Sequence, residues 1–261
     1  MSEFPRRLYK YRSVPAATDV DGRHRLEALL LDNALWLADP DSFNDPFDGK
    51  SAYDLTLRGP ALRQGLERLA RRHGMTSAKA RKWVNSAVVA NPRWLEAQLT
   101  RNMEVMRHQL GVCALSQEPR NPLLWAHYAN DQRGLCVQLD LRADIDALVA
   151  HPVEYQDEFP ILRDLDRDPD DQRAMLPFLR KSTDWAYEKE WRIVAPDYPN
   201  TARFFAPSAL SAVILGMRMT DDDKAYIHGL MDQRQARFGQ RPRMFQAVAA
   251  SRAYRVRIQK Y

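Results

Sequence analysis

The chain has 261 residues, of which 45% are hydrophobic, 28% charged and 10% aromatic, with 10 Gly and 16 Pro, a composition that excludes collagen-like, low-complexity and wholly disordered chains. Two cysteines are too few for a disulfide framework, so a reducing compartment is expected. The net charge of +5 is uneven: after Asp232 there is no acid and there are eight cations, which leaves the preceding chain at 31 basic against 34 acidic residues, or −3.

In chain order, Leu8–Ser13 reads as a strand with Tyr9 and Tyr11 on one face and Lys10 and Arg12 on the other. Residues 22–33 place Leu26, Leu29 and Leu30 at helical spacing, with Asn33 as a C-terminal cap. A second strand follows at 34–38. The loop 39–50, DPDSFNDPFDGK, is rich in turn residues, and its two phenylalanines predict an ordered loop in which Phe43 and Phe47 are both largely buried, each stabilising by about 1.5–3 kcal/mol. Residues 60–110 predict three helices: Pro60 suits a first helical position, Ser77 and Asn91 suit N-caps, and Leu95, Leu99, Met103, Met106 and Leu110 form an apolar stripe.

Strands are expected again at 112–116, 134–141 and 152–155, with a short helix opened by Asn121 and Pro122 between the first two. Residues 156–171 read as a charged surface loop, and a helix leads into Trp185. In the strand 190–195, Trp191 and Ile193 point one way and Glu190, Arg192 and Val194 the other. A strand at 211–215, a helix at 220–236 opened by Thr220 with Asp223 three residues on, and strands at 244–248 and 254–258 close the chain. Arg255, Arg257 and Gln259 alternate with Val256 and Ile258, the pattern of a solvated strand rather than a nucleic-acid site. The fold class is α+β: a mixed, mainly antiparallel central sheet in a single domain over 1–261, with a helical insertion at about 59–110 and basic strands at 242–260. Neither a GxGxxG nor a complete GxxxxGK[S/T] phosphate loop is present. With no signal-peptide core at the N-terminus and no long apolar segment, the cytoplasm is expected and a membrane is not.

Four polar, aromatic clusters are candidates for chemistry: Tyr9–Ser13; Phe43–Asp48, with Asn44 and Asp45; Ser116 with Trp125, His127 and Tyr128; and Lys181, Trp185, Tyr187, Glu188, Glu190, Trp191 and Arg192. Each has a structural reading beside the functional one. The first is also an edge strand, the second an ordered turn, the third an aromatic helix docked on the sheet, and in the fourth Glu190 pairs with Arg192 or Lys181. The functional reading expects Arg12, Asn44, Tyr128 and Glu190 to converge in one cleft, with Glu188 and Glu190 on one strand face.

These segments, LYKYRS at 8–13, LWLADPDSFNDPFDG at 35–49, LLWAHYANDQRGLCVQLD at 123–140 and WAYEKEWRI at 185–193, resemble an uncharacterised bacterial family, domain of unknown function 2971. A more remote likeness is to ADP-ribosyltransferase-like folds, through the chain order Arg12, Ser116, Glu190 and an ExE at Glu188 and Glu190. That likeness implies NAD as substrate, no metal, and ADP-ribosyl transfer to an unknown acceptor or NAD glycohydrolysis. In it Glu190 stabilises the ribosyl cation, Glu188 activates an acceptor or water, Ser116 orients the carboxylate, Arg12, or else Lys10, grips the pyrophosphate, and Tyr11, Trp125 or Tyr128 stacks on a ring. Two other classes stay open. A metal-assisted hydrolase would use Asp45, Asp48 and Glu190 with His127, and a non-enzymatic nucleic-acid or protein-binding module would use the C-terminal cations.

Overall fold

The computed structural model describes residues 4–53, 59–72, 74–86, 92–162, 175–196 and 198–261. In chain order the elements are β1 (Arg7–Arg12), α1 (Val20–Leu31), β2 (Ala34–Leu37), β3 (Ala52–Tyr53), α2 (Gly59–Arg72), α3 (Ser77–Ser86), α4 (Pro92–Arg107), β4 (Leu110–Ser116) and α5 (Pro122–Tyr128). There follow β5 (Leu135–Asp140), β6 (His151–Pro152), β7 (Glu154–Tyr155), β8 (Ile161–Leu162), β9 (Arg180–Lys181), β10 (Glu190–Pro196), β11 (Thr201–Phe204), β12 (Leu210–Leu215), α6 (Asp221–Phe238), β13 (Arg243–Ala249) and β14 (Val256–Lys260). They form two compact units: one of residues up to Ala38 with Gly111–Val153 and Asp184–Tyr261, the other of Asp39–Leu110 with Glu154–Thr183.

The first unit is built on an eight-stranded sheet in the order β14-β13-β12-β5-β1-β4-β10-β6. The β12–β13 pair is parallel, while β1 pairs antiparallel with both β4 and β5, and β5 antiparallel with β12, so the sheet is mixed and mostly antiparallel, as an α+β chain requires. Period-two alternation sorts side chains between its faces. Leu8, Val137, Leu139, Val213, Trp191 and Ile193 join Leu26 and Leu30 of α1 and Ile227 and Leu230 of α6 in an aliphatic core on one face. Tyr11, Cys136, Ile214 and Ala247 form the second face with Leu124 and Trp125 of α5, and Tyr9, Tyr128 and Tyr187 pack against them. At the end of α1, Asn33 takes φ 57°, as a left-handed cap should, and its Oδ1 accepts a 2.5 Å bond from the buried Arg234 of α6, which also donates to Leu30 O at 2.7 Å. Thr220 caps α6, its Oγ1 accepting from Asp223 N at 3.1 Å.

In the second unit, Leu62, Leu66 and Leu69 of α2, Val84 of α3 and Leu99 of α4 make a separate core, with Trp83 and Trp94 against it. The three expected helices are therefore present; Ser77, expected as an N-cap, is instead the first residue of α3, and Thr76 caps it, its Oγ1 accepting from Lys79 N at 3.4 Å, while Asn91 lies outside the described residues. Two short elements depart from expectation. Ile161–Leu162, inside the segment read as a surface loop, pairs in parallel with β3, and the approach to Trp185 is a 3₁₀ helix over Thr183–Glu188 rather than an α-helix.

Candidate functional site

The site on the first unit begins with α5. Asn121 caps it by accepting from Leu123 N at 2.9 Å, Pro122 occupies its first turn, and the Asn121 amide also donates to Tyr187 O at 3.2 Å. One side chain thus starts the helix and ties it to the segment entering β10. Trp125 is 0% exposed, donates through Nε1 to Pro119 O at 2.9 Å, and meets Tyr11 edge-on at 5.2 Å. The helix ends abruptly because Asn130, Asp131 and Gln132 all take positive φ, and the Gly134 N–H returns to Ala129 O at 2.7 Å. Gly134 is required there, since a Cβ would lie 2.2 Å from Arg12 O.

The two acids come next. Glu188 ends the 3₁₀ helix, Lys189 takes φ 45°, and β10 starts at Glu190. Both acids are buried. Tyr128 of α5 donates to Glu188 Oε1 at 2.6 Å, which brings this carboxylate to the α5 side. Glu190 accepts two bonds from Arg192, Nε to Oε1 at 2.7 Å and Nη2 to Oε2 at 3.1 Å, with both residues buried. The expectation that strand alternation carries both acids is corrected: Glu188 precedes the strand and is delivered by the left-handed turn at Lys189. Ser116 lies on the same sheet face, since it pairs with Tyr9. It grips the backbone rather than the carboxylate, donating to Glu188 O at 2.5 Å and accepting from Glu118 N at 2.9 Å.

Tyr128, the partner of Glu188, belongs to a chain of ring contacts. His127 is exposed, Tyr128, Trp185 and Tyr187 are half-buried, and successive ring centroids are 6.1 Å (His127–Tyr128), 6.4 Å (His127–Trp185) and 6.1 Å (Trp185–Tyr187) apart. Trp125 has no exposed ring face, and burial, with the neighbouring Cys136 and Glu118, drives the Tyr11 phenol pKa well up. Their rings are core, so stacking on a ligand falls to Tyr128, Trp185 and Tyr187. Arg12 does not share this face: it pairs with Leu135, whose side chain belongs to the aliphatic core, and burial together with Arg25 lowers its pKa. Convergence of Arg12 with Glu190 is therefore corrected by one residue of strand phase. Lys10, on the same side as Arg12, donates to Ala114 O at 2.8 Å. Sequence reasoning gave no role to Asn121 as a tether or to Gln138, which accepts from Tyr9 Oη at 3.1 Å and donates to Ser211 Oγ at 2.7 Å; a glutamine at an inward position of an apolar strand was the available signal.

Asn44 and Asp45 lie in the second unit. Asp45 is buried and its Oδ1 accepts from Phe47 N at 2.9 Å, while Asn44 is exposed. The loop is ordered as expected, but by a different agent. Arg107 of α4 donates to Asp41 Oδ1 at 2.5 Å, Asp48 O at 2.6 Å and Pro40 O at 3.0 Å. Phe43 is half-buried, and Phe47, expected to be buried, is 61% exposed beside Phe159. An arginine that satisfies two loop carbonyls and a carboxylate makes the apolar anchor unnecessary. Of the acids named for a metal, Asp45 and Asp48 belong to this unit and His127 and Glu190 to the other. Among the described residues the group of acids and histidine whose ligand atoms lie within 4.8 Å of one another is Asp39, Asp41 and His108, with Asp41 already held by Arg107.

Fold and site together define an α+β protein with a carboxylate and tyrosine presented at the end of a central sheet. Residues 124–193 match the family model described as Protein of unknown function (DUF2971). This span contains the WAHYA and YEKEWR segments and thus both Tyr128 and Glu188; Ser116, Asn121, LYKYRS and FNDPFD fall outside it. No curated protein and no solved structure matches the chain. No helix among the described residues is long and apolar enough to cross a membrane.

Proposed function

We propose that the first unit binds NAD and breaks its nicotinamide–ribose bond, transferring ADP-ribose to an acceptor or to water. The observation that carries this reading is the buried Glu188 carboxylate bonded by Tyr128 at 2.6 Å, with Tyr128 in a chain of ring contacts that runs through His127 to the half-buried Trp185 and Tyr187. As the C–N bond breaks, nicotinamide leaves with the electron pair, and positive charge develops on the ribose carbon. A fixed carboxylate stabilises that charge most in the transition state. An acceptor O–H then adds to the carbon and releases its proton to water. Glu190 has both oxygens engaged by Arg192, and this reading gives the stabilising role to Glu188, the acid that Tyr128 bonds. Ser116 is a positioning residue that holds the Glu188 backbone, and Tyr128, Trp185 and Tyr187 supply faces for a nicotinamide or adenine ring.

The test is nicotinamide release from NAD by the purified chain, with Glu188→Gln, Tyr128→Phe and Glu190→Gln beside the parent. Glu188→Gln is expected to keep NAD protection in thermal melts and lose turnover. Neither turnover nor NAD protection in the parent chain rejects the reading.

A further inference from the structure

The basic C-terminus has a part that the solvated-strand reading does not cover. Val256 is buried, while Arg257 and Gln259 are exposed, so β14 does present one wet face. The turn before it is different. β13 and β14 pair from Ala249↔Val256 outward, leaving Ala250–Arg255 as the hairpin loop, and there Tyr254 is 105% exposed, meaning that its ring packs on nothing. Arg252 and Arg255 flank it, both exposed, and neither they nor Arg257 form an ion pair with any described residue. Beneath the loop is a groove of about 620 Å³ lined by Pro122, Gln132, Met217 and the loop itself, with no carboxylate among its walls. Gln132 buries its Oε1 without a hydrogen-bond donor among the described residues.

We propose that this loop and groove bind single-stranded nucleic acid. A bare tyrosine between unpaired arginines supplies the two things such a strand needs: a ring on which any base stacks, and cations that displace counterions from the flanking phosphates. An acidic protein segment would use the arginines and leave both faces of Tyr254 idle, so the ring decides between these partners. This inference does not rest on the NAD reading: Arg252, Tyr254 and Arg255 lie apart in sequence from Tyr128 and Glu188, and only Pro122 and Gln132 of the groove belong to α5 and its end.

The experiment is fluorescence anisotropy of short labelled oligothymidylate and oligouridylate titrated with the full chain over a series of KCl concentrations. Binding is expected to weaken with salt, with a log–log slope of about −1.4 for two phosphate contacts on a single strand. The double change Arg252→Ala, Arg255→Ala should remove that slope. Tyr254→Ala should weaken binding about 5- to 150-fold while leaving the salt slope in place. All three side chains are exposed, and unchanged thermal melts will show that the variants remain folded. Absence of binding at low salt overturns the proposal, as does Tyr254→Ala binding as tightly as the parent. Competition by polyglutamate as effective as competition by unlabelled oligonucleotide also overturns it, in favour of an acidic protein partner.

Discussion

The two faces of the eight-stranded sheet are built on different principles. The face under α1 and α6 is almost wholly aliphatic, and Arg234, a fully buried cation there, closes the end of α1 with its pKa lowered to about 10 by burial and then by Arg237. The face under α5 carries aromatic rings and a polar row: Gln138, Tyr9, Ser116, Glu190 and Arg192, with Glu188 arriving from outside the strands. Buried polar groups cost stability unless paired, and bonds to Tyr128, Arg192, Ser211 and backbone carbonyls pair these. The aliphatic face supplies cohesion. The polar face holds groups in fixed positions at the expense of some cohesion, which is the trade expected where chemistry is done.

The comparison can be broken most forcefully at the Glu190–Arg192 fork. Arg192→Met removes both fork bonds from a buried carboxylate, and Glu190→Gln removes the charge that faces a buried guanidinium; each is expected to destabilise by about 3–5 kcal/mol in urea titration, and joint replacement by apolar residues should recover most of the loss. On the aliphatic face, Leu30→Ala should cost about 2–5 kcal/mol and leave nicotinamide release per folded molecule unchanged. Glu188→Gln sharpens the contrast in the other direction. The Tyr128 hydroxyl keeps an acceptor, so the melting temperature should move little while turnover collapses; a loss as large as that of Glu190→Gln would make Glu188 a framework residue too.

The smallest effect is expected at Tyr11, whose hydroxyl donates to Glu118 O at 2.7 Å. Tyr11→Phe should cost about 0.5–1.5 kcal/mol. Burial raises the Tyr11 pKa in the folded chain, whereas the unfolded phenol ionises near about 10. Its contribution to stability is therefore complete below that pH and is lost as pH rises above it, because only the unfolded state then releases the proton. Urea midpoints across the alkaline range should fall less steeply in Tyr11→Phe than in the parent.

Much of this arrangement was legible before any coordinates. The Asn121–Pro122 start of α5, the Thr220 cap, the Asn33 stop, the alternation of β10 and the wet face of β14 are local signals, and each appears as read. The pairing of Glu190 with Arg192 was also visible as an i, i+2 strand pair. Strand alternation already separated Tyr11 from Arg12, and assigning both to one site overlooked that phase. The positions of Glu188 and Phe47 were not legible. A lysine at φ 45° has no residue-type signature, and an arginine 59 residues away, donating to Asp48 O, replaces the hydrophobic anchor of the loop.

The place of β1 in the sheet also bears on how the protein is made. β1 lies between β4 and β5, and the hydrogen bond from Tyr9 to Gln138 spans 129 residues. At ribosomal rates of about 5–20 residues per second, this strand waits roughly 6–25 s after its own synthesis before β5 is available. Until β4 is made LYKYR has both backbone edges unpaired, and one edge stays open until β5 follows; its charged alternate positions, Lys10 and Arg12, are the residues that discourage it from pairing with another nascent chain. The two cations therefore have a use during translation that is separate from any in the finished sheet.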